Sequence, residues 1–195
     1  MRFNRKNRGL TFRRRRQVVN TDRIKRVLMW VIPIAVVILL AFFFSWSFGF
    51  RTMMIGNSMS DTLEASDVVL VDRLSCAVSE PSRSDIVVFL PKGNKRSNYY
   101  IRRVVGVPGD TVQIIDGYLY VNSEVYDLGA GDEITVAGLA EDQITLGEDE
   151  YFVMGDNPNN SEDSRHSSVG LVSSDDIVGK VWFVISPFSR FGTVE

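Results

Sequence analysis

"YYIRRVVGVPGD", Tyr99–Asp110, decides how the rest of the chain is read. Tyr, Ile and Val give it the composition of a strand, and Pro-Gly-Asp closes it as a turn. Successive strand side chains point to opposite faces, so Arg102 and Arg103 cannot both face water if one side is buried. One guanidinium is predicted to point inward or into a cleft.

Outward from this stretch the chain reads as short strands between turns. The candidates are Val68–Asp72, Ile86–Leu90, Tyr100–Val105, Thr111–Ile115, Tyr118–Val121, Tyr151–Met154 and Lys180–Ile185. Asp116-Gly117 joins two of them as a two-residue hairpin. Ser173–Gly179 reads as a helical turn, with Ser and Asp suited to its start. Asn122 to Glu150 is acidic and weakly patterned, which predicts a surface excursion. A mostly β, antiparallel domain follows.

The N-terminal part is built for different surroundings. Residues 1–26 carry eleven Lys/Arg against the single acid Asp22, whereas the rest carries eleven Lys/Arg and 23 Asp/Glu. Between them lies Val27 to Phe50, 24 residues without a charge. At about 1.5 Å per residue a helix of that length reaches roughly 36 Å, enough for a bilayer core of ~30 Å. Trp30 and Trp46 fall where an interfacial aromatic belt belongs. A cleaved signal peptide fits less well, because the apolar run is too long and its basic flank too large.

Three segments are therefore predicted: a basic cytoplasmic tail (1–26), a transmembrane helix (27–50) and an extracytoplasmic β domain (51–195). "RRRR" at Arg13–Arg16 also has the composition of a nucleic-acid or anionic-lipid patch. The positive-inside rule accounts for it without a nucleic-acid partner. Cys76 is the only cysteine and His166 the only histidine, so no disulfide, metal centre or other cofactor is expected.

Two loops stand apart from the strands. "MIGNSMSDTL", Met54–Leu63, follows the span almost directly, which places Ser58 near the membrane surface. "MGDNPNNSEDSRHS", Met154–Ser167, leaves a strand and is dense in Gly, Asn, Asp and Ser. Such residues bond their own backbone, and taken alone this is the pattern of an ordinary Asx-rich loop.

These three stretches, in this order after one basic-flanked span, resemble bacterial type I signal peptidases. "GNSMSDTL" resembles the family's nucleophile box, Ser-Met-x-Pro-Thr-Leu. "YIRRVVGVPGD" resembles its Tyr-Ile/Val-Lys-Arg-x-x-Gly-x-Pro-Gly-Asp box. "MGDNPNNSEDSR" resembles its Gly-Asp-Asn-x-x-Asn-Ser-x-Asp-Ser-Arg box. The likeness runs from about Arg23 to Phe188. It implies an antiparallel β catalytic domain of the signal peptidase/LexA-like type, a Ser-Lys dyad, and cleavage of preprotein signal peptides after Ala-x-Ala-like sites.

Carried over by position, Ser58 would be the nucleophile and its backbone N–H an oxyanion donor. Gly56 stands where some members place a second, serine donor. Ser161 would orient the base, Asp163 and Arg165 would pair to hold their loop, and Arg103 follows the base position. The exposed apolar residues Trp46, Phe48, Phe50 and Met53 are expected to meet the bilayer.

The base itself departs from the pattern: the family's lysine is Arg102 here. A catalytic lysine works because burial drags its pKa toward neutrality. Arginine stays protonated, and holding it neutral near pH 8 takes roughly five pKa units, or ~7 kcal/mol. Arg102 is thus the residue expected to point at Ser58, and expected to fail as a base. Asp61 replaces the nucleophile box's proline, and an Asp61–Arg102 ion pair would compensate the buried charge. Pro158 and Asn159 replace Arg and Asp of the third box.

Two functions follow. One is a membrane-anchored serine endopeptidase, single-pass with its N-terminus in the cytoplasm, in which His166 or Asp61 would have to substitute as base. The other is a catalytically impaired paralogue that binds extended peptides or assists pilus or secretion machinery. A LexA-like self-cleaving regulator shares the dyad, but the membrane span and the lack of a DNA-binding segment speak against it.

Overall fold

The computed structural model describes residues 21–48, 50–94, 96–129 and 133–194. The "RRRR" stretch and most of the basic tail lie outside them. The chain divides into two compact units, Met1–Ala41 and Phe42–Glu195. Helix α1 spans Thr21–Phe48. It starts ahead of the uncharged run, with Asp22 in its first turn, where a carboxylate favours the positive end of the helix dipole. Lys25–Trp46 is long and apolar enough to cross a membrane, and none of its window is buried by protein. Phe50, predicted within the span, instead opens the first strand.

Twelve strands follow among the described residues. They are β1 (Phe50–Met53), β2 (Val68–Asp72), β3 (Ile86–Phe89), β4 (Tyr100–Gly106), β5 (Thr111–Ile115) and β6 (Tyr118–Val121). Then come β7 (Glu124–Val125), β8 (Ile144–Thr145), β9 (Glu150–Met154), β10 (Val172–Ser173), β11 (Ile177–Ser186) and β12 (Gly192–Thr193). One sheet runs β1-β2-β11-β3-β4-β9-β10, with β12 also on β11, and the other runs β7-β6-β5-β8. Every pair is antiparallel. Asp116 and Gly117 both take positive φ (50° and 79°), the geometry of the predicted β5–β6 hairpin.

Strand β4 sits between β3 and β9, with Arg102 opposite Val87 and Arg103 opposite Met154. Arg102 is buried and Arg103 is half-buried. A central strand has both faces covered: Ile101 enters one core cluster with Val69, Val88 and Val181, and Val104 another with Phe89 and Tyr151. Full burial of each such side chain is worth about 1.5–3 kcal/mol, so the strand that carries both arginines is firmly held.

Three further differences have local causes. Helix α2 (Arg73–Val78) is set by Asp72, whose carboxylate caps the N–H groups of Leu74 and Ser75. In Ser173–Gly179 only Ser174–Asp176 is a helical turn, capped by Ser173, and Ile177 already begins β11. The predicted surface excursion between Asn122 and Glu150 buries Ile134, Ala140 and Leu146 against the second sheet.

Candidate active site

The loop from β1 to β2 is anchored from below. Met54, Met59 and Leu63 are buried in the first core cluster. The Met54 N–H donates to the Asp67 carbonyl at 2.8 Å and the Leu63 N–H to the Met59 carbonyl at 2.6 Å. Gly56 takes φ +78°, a conformation that L side chains rarely adopt, and turns the chain into Ser58. Ser58 is 95% withdrawn from solvent, at 5% exposure. Arg190, a residue that no sequence pattern singled out, clamps the far end of this loop. It donates to the Thr62 carbonyl (2.8 Å), Asp67 (3.0 Å) and Glu64 (2.9 Å).

The loop after β9 closes on the first one. The Asn157 N–H donates to the Ser58 carbonyl at 3.0 Å, and the Asn157 side chain donates to Ser60 Oγ at 3.1 Å. A Cβ placed on Gly155 would collide with both the Ser58 carbonyl and Ser161 Oγ. Asp163 and Arg165 form a buried fork, Nε to Oδ1 at 2.8 Å and Nη2 to Oδ2 at 2.9 Å. Arg165 also donates to the Pro158 and Val136 carbonyls (2.5 and 3.0 Å). Asn159 accepts from Thr135 and donates to the Glu133 carbonyl at 3.0 Å. The two departures from the third box are therefore tied into the loop's structure.

Arg103 joins the two loops to β4. Its Nε and Nη2 donate to Asp156 at 2.8 Å each, and Nη2 also donates to Thr62 Oγ1 at 3.0 Å. Thr62 in turn donates to Asp156 at 2.6 Å. This closed triangle draws one residue from each of the three stretches. The Asp156 bond raises the Arg103 pKa above its ordinary value.

Arg102 behaves differently. Its Nε and Nη2 donate to the Glu162 carbonyl (3.0 and 2.6 Å), and Nη1 donates to the Ile101 carbonyl (2.7 Å). It lines the Ser58 cleft together with Ser161 and Glu162, yet makes no hydrogen bond to Ser58. Asp61 is exposed and forms no ion pair with Arg102 among the described residues, so the proposed compensation is replaced by backbone carbonyls. Burial pushes the guanidinium below its ordinary value, and Asp163, Tyr100 and Glu162 pull it back up. With all three nitrogens donating, none presents a lone pair to the Ser58 proton.

Two buried hydroxyls in this cleft, Ser58 Oγ and Ser161 Oγ, have no hydrogen-bond partner. The backbone N–H of Ser58 is likewise uncommitted to any carbonyl among the described residues. His166 is not among the residues lining the cleft. Its Nδ1 accepts from the Asp163 N–H at 3.5 Å and stands 3.8 Å from Asp163 Oδ1. The cleft thus holds a buried serine hydroxyl and a backbone N–H free to donate, and neither lysine nor histidine is among the residues lining it.

Residues 25–186 match the family described as signal peptidase, peptidase S26. Signal peptidase I of Bacillus licheniformis is 34% identical over 180 residues, covering 88% of this chain and 95% of that protein. Signal peptidase IB of Staphylococcus aureus is 33% identical over 183 residues, covering 86% and 93%. A solved signal peptidase I from Enterococcus faecalis superposes with a TM-score of 0.42 at 28% identity, covering 52% of this chain and 97% of that one. The chain belongs to the type I signal peptidase family, peptidase S26.

Proposed function

We propose that this chain is a single-pass membrane protein that binds the cleavage segment of secretory preproteins, and that Ser58 cleaves it, after Ala-x-Ala-like sites, far more slowly than a Ser-Lys enzyme. The observation that carries the reading is Arg102 donating to the Glu162 and Ile101 carbonyls beside an unpartnered Ser58 hydroxyl. The Lys25–Trp46 helix supports the anchor, and the basic bias of residues 1–26 supports a cytoplasmic N-terminus.

A groove lined by Met54, Ile55, Tyr99, Ile101 and Glu162 shares Ile55, Arg102 and Glu162 with the Ser58 cleft. β1 is an edge strand, and just beyond it Ile55 has no backbone bond among the described residues, while Met54 is already bonded to Asp67 and Ser66. An extended peptide can therefore pair with the free Ile55 backbone. Ser58 Oγ then attacks the scissile carbonyl while its own N–H meets the oxyanion. Collapse breaks the C–N bond, and the amine of the downstream segment leaves with a proton taken from solvent. Water then hydrolyses the acyl-Ser58 ester to a free carboxylate and the restored hydroxyl. The proton of Ser58 must pass to solvent, because Arg102 does not accept it. Losing a general base costs on the order of 10²–10⁴ in rate.

The test is the purified chain with an Ala-x-Ala preprotein, following binding and cleavage together. Binding with cleavage at least about 10²-fold slower than an intact relative is expected. A rate equal to that of a Ser-Lys enzyme would refute the reading. The same pairing of Arg102 favours the second reading, binding without cutting in support of pilus or secretion assembly, which predicts no cleavage at all.

A further inference from the structure

The Ser58 cleft holds a positive charge with no anion on it. Arg102 and Arg165 are the two buried arginines among the described residues. Arg165 is forked onto Asp163, whereas Arg102 donates to carbonyls alone. The carboxylates nearby are committed elsewhere. Asp163 takes Arg165 and the Gly155 N–H, and Glu162 takes Tyr100 Oη (3.0 Å) and Ser168 Oγ (2.6 Å). A guanidinium has about five N–H donors, and the bonds at Arg102 leave some of those on Nη1 and Nη2 free. Beside it stand the buried, unpartnered hydroxyls of Ser58 and Ser161.

This donor set suits a particular ligand. A scissile amide offers one neutral carbonyl oxygen, while a carboxylate offers two oxygens and a full charge to a guanidinium that never gives up its proton. We infer that the cleft binds peptides by a free C-terminal carboxylate, held by Arg102 and the hydroxyls of Ser58 and Ser161. The inference rests on the proposed peptide groove, with the residues before the terminus lying along Met54–Ile55 and Tyr99–Ile101. Hydrolysis of a preprotein leaves such a terminus on the released signal peptide, so a peptidase reaction must supply this ligand.

The experiment uses the full chain in detergent and one fluorescent peptide, an apolar segment ending in Ala-x-Ala, made as the free acid and as the carboxamide. Anisotropy titration is expected to show the acid binding roughly tenfold to a hundredfold tighter, the strength of a charge-assisted bond. Arg102→Gln should bring the two peptides to within about twofold, the loss expected once that bond is absent. If that variant does not fold, the wild-type acid-to-amide ratio still decides. N-acetylalanine should compete only far more weakly; competition equal to the peptide's would assign the site to free carboxylates and overturn the peptide ligand. Equal binding of acid and amide overturns the inference and leaves the groove standing. Binding of neither peptide overturns the groove, and the inference with it.

Discussion

The Ser58 carbonyl accepts the Asn157 N–H at 3.0 Å, which locks the Ser58 loop to the loop carrying Ser161. Gly155 makes this approach feasible, since a Cβ there would collide with the Ser58 carbonyl and with Ser161 Oγ and Cβ. Gly155→Ala should therefore destabilise the fold by about 1–3 kcal/mol, the usual penalty of overpacking. Urea denaturation checks it, and an unchanged midpoint would mean that the loops part freely.

Asp156 carries two strands of the Arg103 triangle while only 2% of its side chain is exposed. Asp156→Asn keeps the shape but leaves the largely buried guanidinium without its charge partner. A loss of about 3 kcal/mol is expected, as for other broken buried pairs. Arg103→Lys keeps the charge but not the fork, and should lose less. Equal losses in both variants would show that the fork, rather than the charge, holds the three stretches together.

Much of this arrangement was legible in the sequence. Side-chain alternation and turn chemistry are local, so β2, β5, β6 and the Asp116-Gly117 hairpin fall where the residues place them. The three stretches that form the site were recognisable as well. What escaped was non-local or backbone-borne. No pattern announces that the Glu162 carbonyl takes Arg102, or that Arg190 reaches back to Thr62. Phe50 read as part of the apolar run, but as the first residue of β1 it packs on the core, under Arg73 at 4.0 Å. It is thus held by protein, whereas Met53 is half exposed (51%).

Asp110 ends the turn after β4 and gives the fold an acid-sensitive point. Burial pushes its carboxyl up, but the Val107 N–H, the Asn122 amide and Arg83 together outweigh burial and hold it below the usual carboxylate range. A depressed folded value contributes stability that is present above the unfolded value of about 3.9 and is lost as pH falls through the folded one. Asp110→Asn should be less stable than wild type at pH 7, with the gap closing on acidification. A gap independent of pH would assign the loss to packing.

Cys76 reports on topology. The thiol is half-buried, and burial pushes its pKa up to about 11, with Asp85 and Asp72 adding to the rise and Lys180 opposing it. At neutral pH the folded protein should react slowly with maleimides, and unfolding should restore ordinary reactivity. In wall-stripped intact cells a membrane-impermeant maleimide should label Cys76 after mild unfolding. Labelling that requires lysis would place the β domain in the cytoplasm.

Arg102→Lys separates a misplaced nucleophile from a missing base. The substitution removes the bonds to the Glu162 and Ile101 carbonyls and leaves an amine in a buried site with no carboxylate salt-bridged to it. Burial lowers a lysine's pKa and outweighs the opposing pull of Asp163 and Glu162 at this position, so a fraction of the amine is neutral near pH 8 and can accept the Ser58 proton. Cleavage of an Ala-x-Ala preprotein should rise by about 10²–10⁴, with a rate that climbs with pH through the depressed lysine value. Adding Asp61→Pro should give no further coupling, because Asp61 is exposed and unpaired with Arg102. Arg102→Met, which empties the position of both donor and base, should show no such rise over the slow wild-type rate. Were His166 the working base, wild type would already cleave at the rate of a Ser-Lys enzyme, His166→Ala would abolish that activity and Arg102→Lys would change little. That pattern would contradict the position of His166, whose Nδ1 is engaged by the Asp163 N–H and which is not among the residues lining the Ser58 cleft.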